Sequence, residues 1–109
     1  MELWARRLRR RLAASGIFSP DRLFGLGWTG AMTASRLAGL IAHLPEGVSE
    51  IYMHPAIAAY PGSAPGYLYE RELAALTSKQ AIDLTKENEI HLGPFADFLW
   101  PAEGANVGL

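Results

Sequence analysis

"SEIYMHPA", residues 49–56, is a short alternation of apolar and polar residues that stops at a histidine followed by a proline. A period of two belongs to a strand, so Glu50, Tyr52 and His54 share one face while Ile51 and Met53 share the other. Pro55 offers no backbone N–H and helps to end the strand at His54. The histidine therefore stands at the carboxyl end of a strand, where α/β proteins bind their ligands.

The neighbouring stretches support that placement. Upstream, Leu37, Leu40, Ile41 and Leu44 recur with helical spacing behind Thr33 as N-cap, and "PEG" closes the helix. Before it, "DRLFGL" (21–26) reads as a strand opened by the turn signal "SPD", and "GWTG" follows as a loop. Downstream, "PAIAAYPGSAPG" (55–66) has three prolines and two glycines, which marks a long loop. A short helix over 70–76 comes next, then one opened by Ser78 and running to about Asn88. "IHL" (90–92) is expected to be a third strand, with "GPFADF" turning away from it.

At the N-terminus, Trp4, Leu8 and Leu12 recur every fourth residue among arginines, an amphipathic helix with Gly16 as its stop. Residues 101–109 show no periodicity and read as a tail after a domain spanning 1–100. Helix and strand alternate throughout. That order predicts an α/β protein with about three parallel strands and flanking helices. Three strands cannot close a barrel, and a parallel sheet needs cover on both faces. The pattern is that of a partial (β/α) barrel-like fragment.

Composition narrows the function classes. The 109 residues are 50% hydrophobic and 19% charged, which excludes a mostly disordered chain. Without cysteine there is no disulfide framework, thiolate metal site or thiol nucleophile. No apolar run is long enough to span a bilayer, and no apolar segment follows the basic N-terminus as in a secretory leader. A cytoplasmic location is expected. Five arginines lie within residues 1–11, whereas the remainder carries five basic and ten acidic groups. That balance excludes a general nucleic-acid binder. The basic helix over 1–12 is either a solvated face or a peripheral contact with an anionic membrane surface, with Trp4 either its anchor there or the core contact of the helix.

The candidate site lies at the strand ends. His54 has a side chain suited to general acid–base work near neutrality, or it is a rim histidine bonded to backbone. His43 sits where a helix presents its last carbonyls, and His91 lies in an apolar triplet. No HExxH, P-loop or nucleophile-elbow spacing occurs, and no ligand cluster for a metal is present.

The stretches "DRLFGLGWTGAMTASRLAGLIAHLPEGVSEIYMHPA" and "APGYLYERELAALTS" resemble the C-terminal part of the YdjC-like carbohydrate deacetylases, nearest to the hopanoid-biosynthesis-associated branch. The likeness runs from about Trp4 to Phe98. It rests on "FGL" before a tryptophan loop, on "EIYMHP", and on "GY" leading to "ELAAL" and "TS". "HPA" departs from the family's histidine-proline-glycine, which keeps the histidine but alters the backbone freedom after it.

The resemblance implies a hydrolase that removes acetyl from an N-acetylated amino sugar, with a glycosylated hopanoid lipid as one candidate. It implies a barrel-like domain more than twice this length and a divalent metal held by residues of the other half. On that footing this chain needs no cofactor of its own and is inactive alone. His54 would protonate the departing amine or orient the sugar, Trp28 would either stack on a sugar face or pack in the core, and Tyr67 would line the same cleft. The alternative function is a non-catalytic α/β module that self-associates or meets a partner or membrane surface. A homo-oligomer is expected, because three parallel strands are short of cover.

Overall fold

A computed structural model describes residues 2–98, so the expected tail at 101–109 lies outside the described residues. The chain divides into two compact units, Met1–Asp21 with Gly93–Leu109, and Arg22–Leu92.

The first unit holds helix α1, Glu2–Ala14. Its end is a Schellman turn. Gly16 takes a left-handed φ of 75°, its N–H donates to Ala13 O, and the Ile17 N–H donates to Leu12 O at 2.8 Å. Leu3 and Trp4 are 81% and 65% exposed, so Trp4 is not a core contact of this helix. Arg9 reaches Asp21 at 3.0 Å, an exposed ion pair of small energetic weight. Phe18 meets Phe95 edge-on at 6.0 Å.

The second unit has the alternation expected of it. Strand β1 (Arg22–Phe24) leads through a 3-10 turn at Leu26–Trp28 into helix α2 (Ala34–Ala42). Strand β2 (Ser49–Ile51) then leads through the long loop into helices α3 (Tyr69–Leu76) and α4 (Lys79–Glu87). The two strands are parallel, with Phe24 opposite Ile51. The ladder runs one residue further, since Tyr52 N–H donates to Phe24 O at 2.8 Å.

Helix α4 starts as its sequence demands. The Ser78 hydroxyl accepts the Ala81 N–H at 3.1 Å, satisfying one of the donors a helix start leaves open. Thr33 occupies the N-cap of α2 without that side-chain bond. Helix α2 packs against both α3 and α4. Met32, Leu37, Ile41, Ala75 and Ala81 form the buried core, with Ile51, Met53, Leu84 and Ile90 packed against it. Leu37 is 3% exposed, and truncating a leucine at such a site costs about 2–5 kcal/mol.

The expected third strand over 90–92 does not form. Among the described residues the sheet has two strands, so the three-stranded reading is corrected. The cause lies at the end of α4. Glu89 adopts a left-handed φ of 53°, its N–H donates to Lys86 O, and the Ile90 N–H donates to Thr85 O at 3.0 Å. This is a Schellman cap, with Ile90 folding back onto the core beside Leu84. The amide that would open a ladder already serves the helix. No helix among the described residues is long and apolar enough to cross a membrane.

Candidate functional site

The alternation of residues 50–54 survives beyond the last ladder bond. Ile51 and Met53 turn toward the core. Tyr52 and His54 turn the other way, with the tyrosine hydroxyl 3.1 Å from His54 Nε2. The other ring nitrogen, Nδ1, is buried without a hydrogen-bond partner.

Aromatic rings surround this imidazole. Tyr52 and Tyr67 each meet it edge-on, at 4.6 Å and 5.0 Å between centroids. Tyr67 continues to Tyr69 at 5.7 Å, and Tyr69 to Tyr60 at 5.5 Å. The chain has four tyrosines, and all four join this one row. The row combines apolar ring area with hydroxyls that make directed bonds. The Tyr69 hydroxyl accepts the Ala64 N–H at 2.9 Å, fixing the loop between β2 and α3. Hydrogen bonding with Tyr69, then its charge, raises the Tyr60 pKa above the usual phenol value.

Two glycines allow close approaches here, one to the Tyr67 ring and one to the Tyr52 main chain. At Gly30, φ is +77° and a Cβ would lie 2.5 Å from Tyr67 Cγ. The Gly30 carbonyl also accepts the Leu68 N–H at 2.7 Å. At Gly25, φ is +103° and a Cβ would lie 2.7 Å from the Tyr52 carbonyl oxygen. Only glycine adopts such a backbone without strain and leaves that space open.

His54 and Tyr67 are thus brought together, while Trp28 is engaged differently. Its ring, 39% exposed, carries the Arg36 guanidinium 5.1 Å above its centroid. Arg36 is itself held by donating to Ala31 O at 2.8 Å. A cation over an indole face is attracted by the ring quadrupole. His43 Nδ1 lies 2.9 Å from Gly39 O, a helix-end role in keeping with its position. His91 is exposed and outside any strand.

Beneath the aromatic row lies Glu72, which the sequence reading passed over. It is 1% exposed, the one buried polar or charged residue among those described. Its Oε1 accepts the His54 N–H at 2.5 Å, and its Oε2 accepts the Met32 N–H at 2.9 Å. Directly after Glu70 and Arg71, it reads as part of a solvated helix face. A signal was available, because Tyr69, Glu72 and Ala75 stand three residues apart and all three are buried on α3.

The resemblance implies a divalent metal, and the described residues do not fit one. No group of three or more potential ligands converges among them. Both Glu72 oxygens are bonded to backbone amides, and His54 Nε2 faces a tyrosine hydroxyl. What the arrangement offers is an imidazole in an aromatic setting at the end of a strand.

A family model described as YdjC-like protein matches residues 1–87. No curated protein and no solved structure matches the chain.

Proposed function

The chain belongs to the YdjC-like family, and from that premise we propose that it supplies the sugar-facing wall of a carbohydrate N-deacetylase acting on an N-acetylated amino sugar. The observation that carries this reading is the His54 imidazole flanked by Tyr52 and Tyr67 at the end of β2. Sugars offer apolar C–H faces and hydroxyl edges, and tyrosines answer both with ring faces and phenol groups. Tyr67 lines this wall, and Trp28, on the 3-10 turn after β1, offers a further stacking face beside its Arg36 partner. A glycosylated hopanoid lipid is one acceptor that meets this description.

The chemical need for His54 follows from the bond to be broken. An amide nitrogen leaves poorly as an anion and must receive a proton as the C–N bond cleaves. Imidazole exchanges protons near neutral pH, so His54 is suited to protonate that amine. The Tyr52 hydroxyl, 3.1 Å from Nε2, holds the ring in place for it. On this reading the described residues form the substrate wall and not the metal ligands, and the chain alone binds the sugar without hydrolysing it.

Saturation-transfer NMR with N-acetylglucosamine tests the reading directly. The sugar should receive magnetisation from the tyrosine rings, and His54→Ala should reduce it. No transfer to the sugar at millimolar concentration would remove the assignment.

A second reading, a self-associating non-catalytic module, is favoured by one feature. Both strands of the sheet are edges, and Leu23 on β1 is 46% exposed with Ile57 beyond β2 at 86%. Unpaired edges beside apolar side chains invite a second copy.

A further inference from the structure

The loops at the carboxyl ends of both strands meet on a single carboxylate. Glu72 bonds the main chain at His54, 18 residues before it, and at Met32, 40 residues before it. Met32 lies two residues past Gly30, whose Cα faces the Tyr67 ring. His54 lies two residues past Tyr52, whose ring it touches. The spacing of the two tyrosines about the imidazole therefore depends on two loops that share Glu72 as their common anchor.

We infer that Glu72 is the positioning residue of this site, setting the His54 ring against Tyr52 and Tyr67 through paired bonds to backbone amides. The inference rests on the sugar-site reading for its functional meaning, though not for its geometry. An ionised carboxylate is an acceptor at both oxygens, which suits two N–H donors converging from separate loops. No other side chain would serve as well. A glutamine has the same length but turns an NH2 group toward one of the two amides, replacing a bond with a donor–donor conflict. An aspartate lacks the reach to span both. Helix α3 carries the carboxylate rigidly, because its own start is tied to the loop after β2 by Ala56 N–H donating to Tyr69 O at 3.2 Å.

The readout is the His54 Hε1 resonance, which the two tyrosine rings displace by their ring currents. In Glu72→Gln that resonance should return toward the value of a free imidazole, and N-acetylglucosamine binding should weaken several-fold. Leu37→Val serves as the control for mere loss of stability, and it should leave the His54 resonance in place. A folded Glu72→Gln variant with an unmoved resonance overturns the positioning role.

Should Glu72→Gln not fold, amide exchange in the unaltered chain decides. The His54 and Met32 amides should exchange as slowly as those inside α2, and exchange at loop rates overturns the inference. The two readings fail separately. A His54 resonance that follows Glu72 in a chain that ignores the sugar ends the sugar-site reading alone. Sugar binding with a resonance indifferent to Glu72 ends the positioning role alone.

Discussion

The Glu72 carboxylate and the His54 main chain are joined at 2.5 Å across 18 residues of sequence, so the buried side chain of α3 holds the segment that follows β2. That contact, with its twin to Met32, makes the site's geometry a property of the core and not of the loops alone.

Removing the carboxylate should be costly. Glu72→Ala strands two backbone N–H groups, each worth about 1–3 kcal/mol when left unsatisfied in the interior. Urea unfolding should show a loss of that order with an unchanged slope. A change within about 0.5 kcal/mol, typical of surface substitutions, would mean that water serves these amides equally well.

Gly30 and Gly39 form a matched pair. Alanine at Gly30 meets Tyr67 and keeps a φ of +77°, whereas at Gly39 nothing lies within 4 Å and the site is helical. Gly30→Ala should destabilise and shift the Tyr67 ring resonances. Gly39→Ala should stabilise by about 0.5–1 kcal/mol through helix propensity. Melting temperatures moving in the same direction for both variants would contradict the placement of Gly30 against Tyr67.

For catalysis, the decisive variant is His54→Ala made at the matching histidine of a longer family member. Turnover should fall steeply while stability changes by about 1 kcal/mol, the usual centre for point substitutions. Activity that drops only as far as folding does would assign His54 a structural role. Rate and melting temperature must come from the same preparation.

The phenols offer a pH handle. Hydrogen bonding with Tyr69 raises the Tyr60 pKa, so the folded chain favours the neutral phenol. The associated stability is complete below the ordinary phenol range and is lost as pH rises through the raised value. Absorbance at alkaline pH should show Tyr60 ionising late, and Tyr69→Phe should bring it back. An unchanged titration in Tyr69→Phe would assign the shift to another cause.

Self-association should be visible in light scattering. The two-edged sheet and the exposed Leu23 favour a symmetric dimer, and Leu23→Glu should return it to a monomer by placing charge on the edge. A monomer at high concentration that unfolds cooperatively argues that the sheet is content with its present cover.

The amino-acid sequence by itself determined what depends on near neighbours. Ser78 caps α4, Gly16 ends α1, and the alternation of residues 50–54 divides Ile51 and Met53 from Tyr52 and His54, because capping and side-chain period act over a few residues. The family was legible too, in the strand and loop motifs around His54. Tertiary structure alone decided the rest. The segment 90–92 has strand-like residues, yet a left-handed Glu89 commits the Ile90 amide to the cap of α4. Glu72 looks like a solvated acid until the fold brings two distant N–H groups to it. Trp28 looks unpartnered in the sequence until the fold places Arg36 over its ring. These outcomes were hidden for one physical reason. Hydrogen-bond donors and cations choose partners by distance in space, and the partners of Glu72 stand 18 and 40 residues away along the chain.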